Sequence, residues 1–241
     1  MLISFQTVIH NSVADSERRL SQTKNLTDFY KDLAANKLPQ WMFITPNMTS
    51  DGHDTSVTTA GAWTRNFLEP LLGNKNFMQN TLVLITFDEN HTYTIQNRVL
   101  AILLGDAIPK QLVGTIDDNF YCHYSEIATV EANWGLHTLG RWDVGANVFS
   151  FVGAKTGDHI RPWTTTTESD PSIYLNASFP GAFSDTYKPR APIPAPNLSL
   201  VHNGRTVLPQ IVQTWSKSSI GTYYSDTVEI PDGNRPPVKW Y

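Results

Sequence analysis

The sequence predicts an α/β fold with a parallel or mostly parallel sheet and helices on both of its faces. Apolar runs at 41–45, 81–87 and 98–104 alternate with segments of helical periodicity at 57–72 and 123–133. Strands that are buried on both faces lose the polar and apolar alternation of a half-exposed sheet. Continuous apolar strands separated by helices are therefore typical of this fold class.

The first elements have clear boundaries in the sequence. A helix is predicted over 26–34, where apolar residues recur at helical spacing and Asn25 is placed as the N-cap. The run at 41–45 stops at a proline, as a buried strand would. The helix over 57–72 is predicted to end at Gly73, because glycine commonly follows the last helical turn.

The next elements repeat this alternation. The run at 81–87 is rich in β-branched residues and ends at Asp88. A second strand is predicted over 98–104 and ends at Gly105. A third helix is predicted over 123–133, which completes the elements of the core.

The composition changes near residue 155. Four of the 15 prolines precede this point and the other 11 follow it. Proline lacks a backbone donor and fixes φ, so we predict a core domain at 1–154 and an irregular proline-rich extension at 155–241. The extension is rich in aromatic residues, which predicts that it packs on the core, with short strands at 206–212 and 226–230.

Composition also excludes several functions. The 241 residues carry a net charge of −4, which argues against nucleic-acid binding. No apolar run approaches the length of a membrane span, and the N-terminus lacks the features of a signal peptide. The single cysteine excludes an internal disulfide and a cysteine-based zinc site. Glycosylation acceptor patterns, which favour a secreted protein, occur at Asn25, Asn47, Asn90, Asn176 and Asn197.

Polar clusters follow two of the predicted strands, at the sheet edge where ligands bind in α/β folds. The segment 47–54 follows the first strand, and Asp88 and Glu89 follow the second. Carboxylates of this kind are hard ligands for a divalent cation. The third candidate, His123, begins a predicted helix, where backbone N–H groups favour an anion.

Each of these candidates has a structural alternative that the pattern leaves open. Asp51 and Asp54 could serve as turn and cap residues before the helix at 57–72. Asp88 and Glu89 could form a solvated strand end. A lone histidine such as His123 is more often structural than functional.

Several motifs keep a common order along residues 20–152. They are Ile44-Thr45-Pro46-Asn47, Ser50-Asp51-Gly52-His53-Asp54, Ile85-Thr86-Phe87-Asp88-Glu89, Asn97-Arg98-Val99, His123-Tyr124-Ser125, Glu131-Ala132-Asn133-Trp134-Gly135-Leu136 and the segment 143–149. In this order they resemble the secreted fungal acid phosphatases, which belong to a phosphoesterase family that also contains bacterial phospholipases C.

The resemblance implies an alkaline-phosphatase-like α/β fold and hydrolysis of phosphate monoesters at acid pH. It implies that Asp88 and Glu89 bind a divalent metal ion of unspecified identity. It assigns phosphate binding and protonation of the leaving oxygen to His53 and His123, which protonated imidazoles would suit. The residues expected to bind substrate are Asn47, Asp51 and Asp54.

The sequence departs from this family at its N-terminal end. The family's Glu-Asn metal motif and its Ser or Thr nucleophile have no counterpart in the first 24 residues. We therefore expect a C-terminal part of a longer enzyme, weakly active or inactive alone, whose parent is extracellular or in the cell wall. Two alternatives stay open: a non-catalytic remnant or glycan-binding cell-wall protein, and a phospholipase C-like phosphodiesterase.

Overall fold

The protein has a mixed α/β fold that contains several helices and short strands. A computed structural model describes residues 10–92, 97–161, 194–222 and 224–226. Its helices are α1 (Asn11–Ala14), α2 (Glu17–Leu20), α3 (Leu26–Ala34), α4 (Val57–Leu72), α5 (Lys75–Met78), α6 (His123–Trp134), α7 (Ser150–Thr156) and α8 (Pro209–Trp215). Its strands are β1 (Val83–Thr86), β2 (Ala101–Leu104), β3 (Val201–His202) and β4 (Arg205–Thr206), with a 3₁₀ turn at Lys110–Leu112.

The chain divides into two compact units. Unit 1 contains residues 1–84 and 103–108, and unit 2 contains residues 85–102 and 109–241. The boundary predicted from composition at 154/155 stays a prediction about domain organisation.

In unit 1, helices α3 and α4 pack through aromatic rings. Asn25 caps α3 by accepting the Asp28 N–H at 3.0 Å, which confirms the predicted N-cap. Ring centroids of Phe29 and Phe67 lie 5.5 Å apart, and Trp63 stacks on Phe67 at 5.1 Å. Burial of these rings removes apolar surface from water and fixes one helix on the other.

Strands β1 and β2 form a two-stranded sheet at the predicted positions, each shorter than its apolar run. The strand predicted over 41–45 is wrong. Within the described ranges these residues join neither sheet, and the side chains of Trp41 and Phe43 are about half exposed. An apolar run becomes a strand only where a neighbouring strand satisfies its backbone groups, and the described chain provides none here.

In unit 2, helices α6 and α7 form the core with the segment between them. Within these helices and the segment between them, the most buried apolar side chains are small or β-branched: Ala128, Ala132, Val144, Ala146, Val148 and Val152. Thr129 on α6 links the two parts, since its Oγ1 accepts the Phe149 N–H at 3.0 Å and donates to the Ser125 carbonyl at 2.7 Å. Helix α6 ends at Gly135, which adopts φ = 60°. The predicted helix at 123–133 is therefore confirmed.

Strands β3 and β4 form an antiparallel hairpin in unit 2. Its two-residue turn is Asn203-Gly204, and both residues have positive φ, as this tight turn requires. The strand predicted at 206–212 is wrong beyond Thr206, because helix α8 begins at Pro209. Proline is favoured in the first helical turn, where its missing N–H costs no hydrogen bond.

The other strand predicted in the extension, 226–230, falls almost entirely outside the described residues. The described strands form small two-stranded sheets, and β3 and β4 are antiparallel. None of the helices in the described ranges combines the length and apolar content needed to span a bilayer.

Candidate functional site

The chain turns into an exposed corner directly after β1. Asp88 and Glu89 are both exposed there, and Asp88 Oδ1 accepts the Glu89 N–H at 2.9 Å. The corner is joined to α6, because the Asp88 carbonyl lies 2.8 Å from His123 Nε2. We call Asp88, Glu89, Asn90, Asn97 and His123 the open corner.

A side-chain amide completes the open corner. Asn97 Nδ2 donates to the Asp88 carbonyl at 2.9 Å, and Asn97 Oδ1 accepts the Asn90 N–H at 2.7 Å. The Asp88 carbonyl thus accepts from two side chains, one on α6 and one ahead of β2. Three residues selected from the sequence, Asp88, Glu89 and His123, are brought together in unit 2 by these bonds.

The ring of His123 faces an acceptor at each nitrogen. Nε2 points to the Asp88 carbonyl, and Nδ1 lies 3.4 Å from Glu126 Oε1. The Glu126 carboxylate raises the pKa of His123, against the opposing effect of partial burial, and the Asp88 carbonyl adds to the rise. An imidazolium can donate from both nitrogens, so this geometry favours the charged ring.

The thiol of Cys122, which directly precedes His123, is not activated as a nucleophile. Burial raises the pKa of Cys122, which keeps it in the thiol form at neutral pH. Its backbone N–H donates to Ser125 Oγ at 3.2 Å, at the beginning of α6. Cys122 therefore contributes to the start of the helix.

The second sequence cluster lies in unit 1, in the loop before α4. Asn47 Oδ1 accepts from Thr49 Oγ1 at 2.9 Å, and the Asn47 carbonyl accepts the Asp51 N–H. Asp51 Oδ1 accepts the His53 N–H at 2.8 Å, which is an Asx turn. His53 Nδ1 lies 2.9 Å from Asp54 Oδ1, and both side chains are exposed.

The loop shows which of its acidic residues have the structural roles of turn and cap. Asp51 is a turn residue, as the structural alternative predicts. The N-cap of α4 is Ser56, whose Oγ accepts the Thr59 N–H at 3.3 Å, so Asp54 is not the cap. Asp54 instead orients the His53 ring and, in the neutral ring, keeps the proton on Nδ1.

The open corner fits a divalent cation in the kind of donors that it offers. Asp88 and Glu89 supply adjacent carboxylate oxygens, which are hard ligands. The bond from the Glu89 N–H leaves acceptor capacity on Asp88, since a carboxylate has about four lone-pair sites. Among the residues the structure describes, no three His, Cys, Asp or Glu side chains are grouped to hold a metal ion. Asp88 and Glu89 therefore offer donors of the kind that a divalent cation prefers, without a third such side chain grouped with them in the described ranges.

The sequence patterns assign no specific role to two residues of this region. Asn97 is only the first residue of an ordered motif, and Glu126 belongs to none of the candidate sites. Glu126 could have been found, because it is three residues after His123 on a predicted helix. Asn97 has no such local signal, since its partners precede it by seven and nine residues in irregular chain.

Comparison with known proteins gives one family match and several relatives. The model of the phosphoesterase family matches residues 5–137. A phosphate-repressible acid phosphatase of Penicillium chrysogenum is 51% identical over 189 residues, 78% of this chain and 45% of that protein. An acid phosphatase of Aspergillus fumigatus is 51% identical over 73% of this chain and 38% of its own length.

A further relative covers almost the whole chain. An acid phosphatase of Aspergillus niger is 41% identical over 97% of this chain and 56% of its own length. The chain thus spans about half the length of the curated relatives it matches. No solved structure matches the chain significantly.

Proposed function

The chain belongs to the phosphoesterase family, and from this premise we propose that it acts in metal-dependent hydrolysis of phosphate monoesters at acid pH. The relatives named acid phosphatase support the reaction class. The observation that carries the assignment of residues is the junction of His123 with the Asp88 carbonyl. This bond supports the proposal that His123 acts as a proton donor near Asp88 and Glu89, and that the three residues together hold a metal and a phosphate.

Asp88 and Glu89 would hold the divalent ion at the open corner. Such an ion supplies positive charge to a phosphate group and to an attacking oxygen. The two carboxylates are accessible and adjacent, so they can present oxygens to one cation. We assign no nucleophile, because none of the contacts at the open corner identifies one.

His123 would bind the phosphate and protonate the leaving oxygen. Its Nε2 is held by a short bond to the Asp88 carbonyl, whereas its Nδ1 contact with Glu126 is long at 3.4 Å. The weaker contact is the one that a phosphate oxygen can replace. Nδ1 is therefore the nitrogen that we assign to the substrate.

The loop of unit 1 is also assigned to substrate binding in this proposal. His53 is assigned a phosphate-binding and proton-donating role, with Asp54 setting its ring orientation. Asn47 and Asp51 would shape the loop through their bonds to its backbone. An alkaline-phosphatase-like, mostly parallel sheet and an extracellular or cell-wall location of the protein belong to the same proposal.

The test is hydrolysis of an aryl phosphate at about pH 5, with and without chelator, by the complete protein as its gene encodes it. We expect the chelator to abolish turnover, and D88N and H123A each to lower it by at least about tenfold. N133A, which changes an exposed asparagine on α6, is the matched control and should keep full activity. Turnover that persists in chelator, or in D88N, would contradict the proposal.

A further inference from the structure

The side-chain amide of Asn97 bonds to the two peptide groups that flank Glu89. Nδ2 donates to the carbonyl of Asp88, and Oδ1 accepts the N–H of Asn90. The two distances, 2.9 and 2.7 Å, are those of well-formed hydrogen bonds. Both ends of the amide are therefore bonded to backbone groups of the open corner.

This pattern resembles one step of a parallel β-ladder. In such a ladder, one residue donates to the carbonyl before its neighbour and accepts the N–H after it. The amide of Asn97 makes this pair of bonds around Glu89. It takes the place of a neighbouring strand just beyond β1, which ends at Thr86.

We propose that Asn97 is a positioning residue, which fixes the backbone around Glu89 so that the Asp88 and Glu89 carboxylates are ordered for a divalent cation. This inference rests on the proposed function, because it assigns the cation to those two carboxylates. An exposed loop residue normally samples several backbone and side-chain states, and ordering it costs conformational free energy on binding. Bonds to both flanking peptides remove much of that cost before the ion arrives.

His123 makes a second hydrogen bond to the Asp88 carbonyl. The carbonyl that Asn97 holds also accepts from His123 Nε2 at 2.8 Å. The orientation of the Asp88 peptide is thereby set from two sides. Loss of the Asn97 amide leaves His123 bonded to that carbonyl and removes the Asn97 oxygen as an acceptor for the Asn90 N–H.

The test measures Mn²⁺ affinity of the complete protein, as its gene encodes it, by calorimetry, for the unsubstituted protein, N97A and the control N133A. We expect N97A to bind Mn²⁺ about 10- to 100-fold more weakly, the usual effect of losing a residue that orients a ligand. The melting temperature should change little, because Asn97 is exposed. Without metal, hydrogen exchange at the Asn90 amide should accelerate in N97A alone.

Each outcome separates the two hypotheses. Equal Mn²⁺ affinity of N97A and the unsubstituted chain would overturn the positioning role and leave the proposed function intact. Absence of Mn²⁺ binding by the unsubstituted chain would overturn both. If N97A fails to fold, N97Q decides the question: its amide is one methylene longer and cannot meet both peptides in register, so it too should bind Mn²⁺ more weakly. Undiminished affinity in N97Q would contradict the inference.

Discussion

Two regions of unit 2 pair a histidine with an aspartate, yet they differ in almost every physical respect. One is the open corner around Asp88 and His123. The other, which we call the sealed cluster, consists of Asp158, Arg161, His202 and Arg205. The His123 side chain is 45% exposed, whereas that of His202 is 14% exposed.

The sealed cluster leaves no carboxylate oxygen of Asp158 unsatisfied. Oδ1 accepts from Arg205 Nη2 at 2.5 Å and lies 2.9 Å from His202 Nε2. Oδ2 accepts from Thr156 Oγ1 at 2.6 Å and from Arg205 Nη1 at 3.3 Å. Burial alone would raise the pKa of Asp158, but the hydrogen bonds from Arg205 and Thr156 outweigh it and the pKa is lowered.

The pKa values of the two histidines shift in opposite directions, because their burial and their charged neighbours differ. Burial lowers the pKa of His202, and the nearby Arg161 guanidinium lowers it further, against the pull of Asp158. Arg161 Nη2 lies 3.2 Å from His202 Nδ1, so the neutral ring accepts there and donates to Asp158 from Nε2. The comparison shows that the histidine and the aspartate of the open corner stay accessible to a ligand, whereas those of the sealed cluster are enclosed by ion pairs. The family match, residues 5–137, includes the open corner and excludes the sealed cluster.

The largest expected effect is on the sealed cluster. D158N removes the charge that neutralises Arg205, and should lower the free energy of unfolding by about 3–5 kcal/mol, as for other buried ion pairs that lose one partner. Urea denaturation followed by tryptophan fluorescence measures the change. D118N, at an exposed site in the same unit, is the control and should stay within about 0.5 kcal/mol. If D158N lowers the free energy of unfolding as little as the control does, the ion pair of the sealed cluster does not stabilise the fold as expected.

An intermediate effect is expected at Glu131, the buried glutamate of α6. Burial raises its pKa to about 9, and the nearby Asp143 carboxylate adds to the rise. The unfolded chain ionises Glu131 above its ordinary value of 4.5, whereas the folded chain keeps it protonated. This group therefore favours folding most at low pH, and its contribution is lost as pH rises toward 9.

Glutamine cannot ionise, so E131Q should remove this pH dependence. Relative to the unsubstituted chain, the stability of E131Q should rise between pH 4.5 and pH 7 by about 3 kcal/mol, from about 1.4 kcal/mol per pH unit. Urea denaturation at several pH values measures it. E126Q lies on the same helix and serves as the control. A stability difference that does not vary with pH would contradict a buried, protonated Glu131.

The smallest expected effect is at the open corner itself. E126Q removes the carboxylate that faces His123 Nδ1, but the pair is 3.4 Å apart and both side chains are partly exposed. The free energy of unfolding at neutral pH should change by less than about 0.5 kcal/mol, as is usual for accessible ion pairs. Thermal and urea denaturation measure this value. If E126Q lowered the free energy of unfolding nearly as much as D158N, the two regions would not differ in their contribution to stability.

Much of the local structure could be predicted from the sequence. Asn25 and Gly73 mark helix ends, and the structure places them as the N-cap of α3 and the C-cap of α4. The hairpin at 201–206 also had a local signal, the Asn203-Gly204 turn, although the strand was predicted to begin at 206. The strand predicted at 41–45 failed because an apolar run does not reveal whether a neighbouring strand will pair with it.

The sequence by itself determined which residues carry the candidate chemistry: Asp88 and Glu89 at a strand end, and His123 at a helix start. These follow from local patterns, since strand ends, caps and motif order depend on residues close together in the chain. Only the tertiary structure decided that Asn97 and His123 meet at one carbonyl, or that Asp158 is sealed while Asp88 is open. The bond from His123 to Asp88 joins residues 35 positions apart, and that from Arg205 to Asp158 joins residues 47 apart. No local pattern encodes contacts between residues so distant in the chain.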